Sequence, residues 1–282
     1  MIVWLNGELA PAGETRIDPT DRGFLLGDGL FETMLVRRGR VVFLDAHLLR
    51  LRHGANAIGL ALPFDPARIA AACTALLDAN RLADAPRAAL RLTLTRGPGP
   101  RGLALPADPK PTLLITAASA AAPPAGLSAI VATPRRNNRS PSAQLKAIAY
   151  LDNVLAKEEA RARGAEEALM FNIDGHLACA SAANIFIWDG DRLITPSVDC
   201  GILAGITRAA ILELAPDFGI EVLEDRIEAT HLSHIGGAFL TSSLMGMVPL
   251  TRIDGKALPA HPETARLNAA YELLLDAAER NG

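Results

Sequence analysis

Residues 117–126, AASAAAPPAG, constrain this chain more than any other stretch, because they cannot belong to a core. They carry no hydrophobic period and no anchoring side chain, and Pro123-Pro124 withholds the backbone donors that a helix interior or a central strand needs. The stretch reads as a linker over 118–126, between an N-terminal domain at 1–117 and a larger C-terminal domain at 127–282. The length agrees, since 282 residues at ~150 per domain make about two domains.

Both halves mix strands and helices. The apolar run at 2–5 ends at Asn6-Gly7, a hairpin signal, and FETMLVRRGRVVFL at 31–44 predicts two strands about Arg38-Gly39. Asp45 is placed to cap a helix with Leu48, Leu51, Ala55 and Ile58 on one face. Further helices are predicted near 66–80, 147–163 (stopped by Gly164), 207–214 and 262–280, with strands at AALRLTLT and LSAIVAT. The expected fold class is α+β, in two domains.

Half of the residues are hydrophobic and 21% are charged, enough for a sizeable core in each domain. A net charge of −3 and a pI near 6.1 argue against a broad nucleic-acid or anionic-membrane surface. No apolar run approaches the ~18 residues of a membrane span, and MIVWLNGELAPAGE lacks the basic region of a signal peptide. Cys73, Cys179 and Cys200 form no CxxC pair, so neither a disulfide scaffold nor a metal site is expected. The expectation is a cytoplasmic protein acting on a small molecule.

Gly97 to Gly102 spells GxGxxG, but the prolines of LALPADPKP forbid the helix that a dinucleotide site requires. His231 and His234 lack HExxH context, and there is no GxSxG elbow. Lys146 is one of only four lysines and sits among apolar neighbours in QLKAIAYL. Such a lysine is either desolvated into a nucleophilic amine or snorkels to water. GILAGITR at 201–208 leads into a helix, whose start is either a phosphate cup or an ordinary cap. Arg50 either supplies a guanidinium to that anion or is a solvated surface residue.

A reactive lysine, a helix-end phosphate cup and an arginine are the parts that pyridoxal phosphate (PLP) requires. Here the chain resembles the fold type IV PLP enzymes, which include branched-chain and D-amino-acid aminotransferases and aminodeoxychorismate lyase. The resemblance runs through Asp21-Arg22-Gly23, GDGLFET at 27–33, HLLRL at 47–51, Thr95-Arg96-Gly97 to Gly102, and Leu145-Lys146 to Ala156. It closes with ANIF at 183–186, GITR at 205–208 and SSLMG at 242–246 before Pro249. It implies the two-domain fold of the D-amino-acid aminotransferase-like PLP enzymes and a homodimer with its active site between domains.

The resemblance makes Lys146 the residue that binds PLP covalently and moves the proton. It makes Arg50, the backbone of Ile206 and Thr207, and Ser243 the phosphate ligands. Tyr150 would face the pyridoxal O3′, and Arg101 would receive the substrate carboxylate across the dimer interface. Two places depart from the pattern. The D-amino-acid aminotransferases carry a histidine and a tyrosine where this chain has Leu103 and Phe31, so half of that carboxylate trap is missing. The family glutamate beside the pyridine nitrogen is replaced by Cys179, which cannot pair with a pyridinium by charge at neutral pH. RGPGPRG and SSLMGMVP look most like aminodeoxychorismate lyase, which releases 4-aminobenzoate and pyruvate for folate synthesis. An aminotransferase for D-amino or branched-chain acids with 2-oxoglutarate is the alternative, and a weakly active PLP-binding protein the second.

Overall fold

The computed structural model describes residues 1–281. The chain divides into two compact units, one containing Met1–Ala121 with Leu145–Ala149, the other Ala122–Gln144 with Tyr150–Ala277. No helix among the described residues is long and apolar enough to cross a membrane.

The first unit contains β1 (Ile2–Leu5), β2 (Glu8–Pro11), α1 (Arg22–Leu26), β3 (Gly29–Arg37), β4 (Arg40–Val41), α2 (Leu44–Ala57), α3 (Pro66–Ala79), β5 (Ala88–Thr95) and β6 (Thr112–Ser119). Among the described residues these strands form an antiparallel sheet in the order β2-β1-β6-β5-β3-β4. Alternation along the strands decides which face is covered. Leu30, Met34 and Val36 of β3 and Leu90, Leu92 and Leu94 of β5 pack with Leu48 and Leu51 of α2 and Ile69 and Leu76 of α3. Phe31 and Arg91 alternate to the opposite face.

The second unit contains β7 (Leu127–Val131), α4 (Leu151–Ala162), β8 (Glu167–Phe171), β9 (Leu177–Ala180), β10 (Asn184–Asp189), β11 (Arg192–Pro196), α5 (Ile206–Leu214), β12 (Val222–Asp225), β13 (Gly237–Ser242), β14 (Gly246–Ile253), β15 (Lys256–Ala257) and α6 (Pro262–Asn281). Its sheet is mixed, ordered β12-β11-β10-β13-β14-β7-β8-β9, with β15 on β14. Leu169, Ile185, Ile187, Leu240 and Val248 fill one apolar cluster. Ala156 and Ala160 of α4 cover another that contains Met170 and Cys179.

Three local expectations change. Residues 118 and 119, expected in the linker, extend β6, because they complete its pairing with Ala89 and Ala88. Asp45 does not cap α2. Phe43 takes the cap with a left-handed φ of 54°, and Asp45 lies in the first turn, near the positive end of the helix. The helix expected from residue 147 begins at Leu151. Residues 146–148 pair with β3 instead: Phe31 N–H donates to the Lys146 carbonyl and Ile148 N–H to the Gly29 carbonyl. Lys146, expected with the C-terminal domain, therefore belongs by its packing to the first unit.

Candidate functional site

In the first unit, the pairing of residues 146–148 with β3 brings the Lys146 Nζ to 4.4 Å from the Phe31 ring centroid. The guanidinium of Arg91 lies 3.9 Å from the same centroid. The buried ring thus carries two cations, each favoured by its quadrupole. Arg91 was not expected from the sequence. Its signal was available, since Arg91 and Phe31 share the polar-facing parity of β5 and β3, but only the strand register reveals the pairing.

Glu32 alternates to the opposite face of β3, into the core beneath α2, and is 1% exposed. Arg50 donates to both of its oxygens, through Nε to Oε1 (2.8 Å) and a terminal nitrogen to Oε2 (2.6 Å), and His47 Nδ1 lies 2.7 Å from the same Oε2. Burial raises the carboxyl pKa of Glu32, but the hydrogen bonds of Arg50 and His47 outweigh it and hold the pKa below its ordinary value. Burial drives the His47 pKa down against the pull of Glu32, with the charges of Arg50 and Lys146 adding to the depression. Glu32 is thus ionised and His47 neutral, with its proton on Nδ1. Arg50 is a partly buried, paired residue, which excludes a solvated surface arginine. Glu32 and His47 lay within motifs quoted for the resemblance, yet sequence reasoning gave them no role.

Arg101 is exposed in the loop that follows β5. No helix opens after GPGPRG, as the prolines of LALPADPKP require. Leu103 is 82% exposed.

In the second unit, α5 starts at Gly205, which offers no side-chain cap. The N–H groups of Ile206 and Thr207 therefore lie in an N-terminal turn that no side chain caps. A Cβ at Gly205 would come within 2.0 Å of Asn184 Oδ1, so the glycine keeps this approach open. Asn184 pairs with Thr241 in the β10–β13 register, placing both side chains on one face of the sheet. Thr241 Oγ1 is buried without a hydrogen-bond partner, and such a group seeks a ligand. The donor chemistry here fits a phosphate. Thr207 is buried with its hydroxyl 3.4 Å from Tyr271, and Ser243 lies half-buried in the turn between β13 and β14. Arg208 turns away to the Pro196 carbonyl and Glu224.

Tyr150 sits at the N-cap position of α4 and lines a pocket with Asn153, Lys157 and Ser181. Cys179 is buried opposite Met170, and burial pushes its thiol pKa up, so the thiol is neutral at pH 7. Glu167 is also buried nearby. Its carboxylate is engaged by the Ser181 hydroxyl and by Lys157 Nζ at 3.2 Å.

Residues 29–253 match the model of the amino-transferase class IV family. The aminodeoxychorismate lyase of Bacillus subtilis is 31% identical over 255 residues, covering 90% of this chain and 87% of that protein. The D-alanine aminotransferase of Bacillus licheniformis is 30% identical over 262 residues, covering 92% and 90%. The crystal structure of the Thermoproteus uzoniensis branched-chain aminotransferase with norvaline superposes with a TM-score of 0.89 at 29% identity, covering 99% of this chain and 96% of that one. With the matching region running from β3 to β14, this chain belongs to the class IV aminotransferase family of PLP-dependent enzymes.

Proposed function

We propose that this chain is an aminodeoxychorismate lyase of folate synthesis, acting as a cytoplasmic homodimer. The observation that carries the reading is the Phe31 face, an apolar ring with the Lys146 amine and the Arg91 guanidinium both against it. That arrangement suits a small substrate bearing a carboxylate: the arginine draws the carboxylate, and an amine stands close by, both held against an apolar ring.

Lys146 would hold PLP, with Arg50, the backbone of Ile206 and Thr207, and Ser243 on its phosphate. Tyr150 would lie towards the O3′ and Cys179 beside the ring nitrogen. Bound PLP supplies the electron sink for charge left on the substrate carbon. Lys146, as its free amine, would take the ring proton and pass one to the departing enolpyruvate as the ether bond breaks, giving pyruvate and 4-aminobenzoate. Arg101 receives a substrate carboxylate. A neutral Cys179 gives a weaker sink than a carboxylate, which an elimination ending in an aromatic ring tolerates. Self-association is supported by the exposed apolar side chains of Phe24, Leu25, Leu103 and Leu105.

The test is an assay of purified holoenzyme with aminodeoxychorismate beside a panel of D- and L-amino acids with 2-oxoglutarate. Pyruvate and 4-aminobenzoate without amino transfer is the expected result. Turnover of the panel alone replaces the lyase with an aminotransferase, the reading to which the similarity to D-alanine and branched-chain aminotransferases lends support. Bound PLP with neither activity leaves a non-catalytic binding protein. A fully active monomer in sedimentation overturns the homodimer.

A further inference from the structure

Arg22 is buried, and its guanidinium faces two ways. On one side Nε donates to Asp28 at 2.8 Å, a carboxylate that also accepts from Arg96 Nε at 2.8 Å. On the other side its terminal nitrogens reach three consecutive carbonyls, Gly102 at 3.1 Å, Leu103 at 3.4 Å and Ala104 at 3.0 Å. These carbonyls belong to the loop that presents Arg101. The base of that loop is pinned separately, because a Cβ on Gly97 would fall 1.8 Å from the Lys110 carbonyl and Gly99 N–H donates to the Thr20 carbonyl.

Beyond that base the loop has few means of holding its own shape. Pro98 and Pro100 lack donors, and residues 101–105 are exposed. A planar fork with several N–H groups can hold one carboxylate and three carbonyls together, whereas a lysine ammonium cannot span them. Asp28 and Arg96 fix the fork from behind, Arg96 in turn donating to the Ile58 and Gly59 carbonyls at the end of α2.

We propose that Arg22 is the positioning residue that holds residues 101–104, and with them Arg101, in the conformation that receives the substrate carboxylate. This deepens the reading of Arg101 given above and rests on it.

The test compares wild-type holoenzyme with Arg22→Met, Arg22→Lys, Gly99→Ala and Arg101→Ala. Gly99→Ala keeps Arg22 but sets a methyl 2.7 Å from its Cδ, at a position without a left-handed φ, so it disturbs the fork even where Arg22→Met fails to fold. Limited trypsin digestion, read by mass spectrometry at the Arg101–Gly102 bond, reports the loop without reference to any reaction. We expect cleavage there to rise about tenfold in Arg22→Met and Arg22→Lys and less in Gly99→Ala, following the population of the opened loop. With aminodeoxychorismate as substrate, KM should rise about fivefold or more in both Arg22 variants with kcat within about twofold, the pattern of lost substrate binding. The absorbance of bound cofactor should not change.

Cleavage at the wild-type rate in Arg22→Met and Gly99→Ala overturns the proposal. So does a raised KM in Arg101→Ala with an unchanged KM in the Arg22 variants, a result that leaves the Arg101 reading standing. An unchanged KM in Arg101→Ala removes that reading, and the positioning role falls with it, even where the loop loosens.

Discussion

Arg50 grips Glu32 with two nitrogens, Nε at 2.8 Å and a terminal nitrogen at 2.6 Å, so the orientation of a guanidinium on α2 is set by a carboxylate buried in β3. The fork geometry restricts Arg50 to one rotation about its long axis. Replacing Glu32 by Gln keeps the shape and removes the buried charge that the partly buried Arg50 guanidinium faces. Glu32→Gln should cost about 3 kcal/mol of stability, seen as a lowered Tm. It should also weaken PLP retention on dialysis through the loosened Arg50. Unchanged Tm and retention would show that the pair is ornamental.

The same cluster sets a pH dependence. Folding depresses the pKa of both Glu32 and His47 below their ordinary values of 4.5 and 6.5. For each group the folded state binds fewer protons, so their contribution is complete above pH 6.5 and is lost as pH falls, His47 first and Glu32 below it. Each proton taken up on unfolding contributes at most about 1.4 kcal/mol per pH unit. His47→Asn keeps a donor near the Nδ1 position and removes the titration. Urea unfolding between pH 7 and 5 should show a shallower loss of stability in this variant, and an equal slope would mean that His47 does not titrate on unfolding.

How far the sequence revealed this site depended on the kind of signal. Lys146, Phe31 and Arg50 could be singled out from the sequence because they stand in motifs with fixed spacing, and the structure brings the first two together. The strand pairing around Lys146 was not, because Ala147-Ile-Ala-Tyr-Leu has an apolar run that a helix start accommodates equally well. What delayed the helix start to Leu151 was long-range: the backbone of residues 146 and 148 bonds to β3, more than a hundred positions away. Arg91 and Glu32 escaped for a related reason. Their roles come from strand register and from facing α2, and neither is written within a window of ten residues. The unpartnered hydroxyl of Thr241 has no sequence signature at all, since it differs from other strand threonines only in what surrounds it.

The helix start at Gly205 separates folding from ligand binding. In Gly205→Ala the methyl meets Asn184 Oδ1 at 2.0 Å, so Asn184 must move and loosen its bond to the Leu203 carbonyl. Thr241→Val removes a hydroxyl that has no protein partner, so the apoprotein should lose less than about 0.5 kcal/mol, or gain stability. Both variants should nevertheless bind PLP about tenfold more weakly if this turn holds the phosphate. Fluorescence titration of apoprotein with PLP gives the affinity, and urea unfolding gives the stability. Thr241→Val with wild-type PLP affinity would remove Thr241 from the phosphate site.

Cys179 carries the last prediction. Burial keeps its thiol neutral, so it offers a ring nitrogen no charge to pair with. A glutamate there would stabilise the protonated nitrogen, each unit of pKa shift being worth ~1.4 kcal/mol. Two units fully expressed in the transition state would change the rate roughly a hundredfold. Cys179→Glu should therefore raise the rate of half-transamination with an amino acid relative to elimination. The substitution also inserts volume and charge beside Met170 and under α4, so PLP occupancy must be measured before rates are compared. The absorbance of the bound cofactor supplies a second reading, because a protonated ring nitrogen alters its pH titration whether or not turnover occurs. Full occupancy with an unchanged titration and unchanged half-transamination would mean that Cys179 does not face the nitrogen.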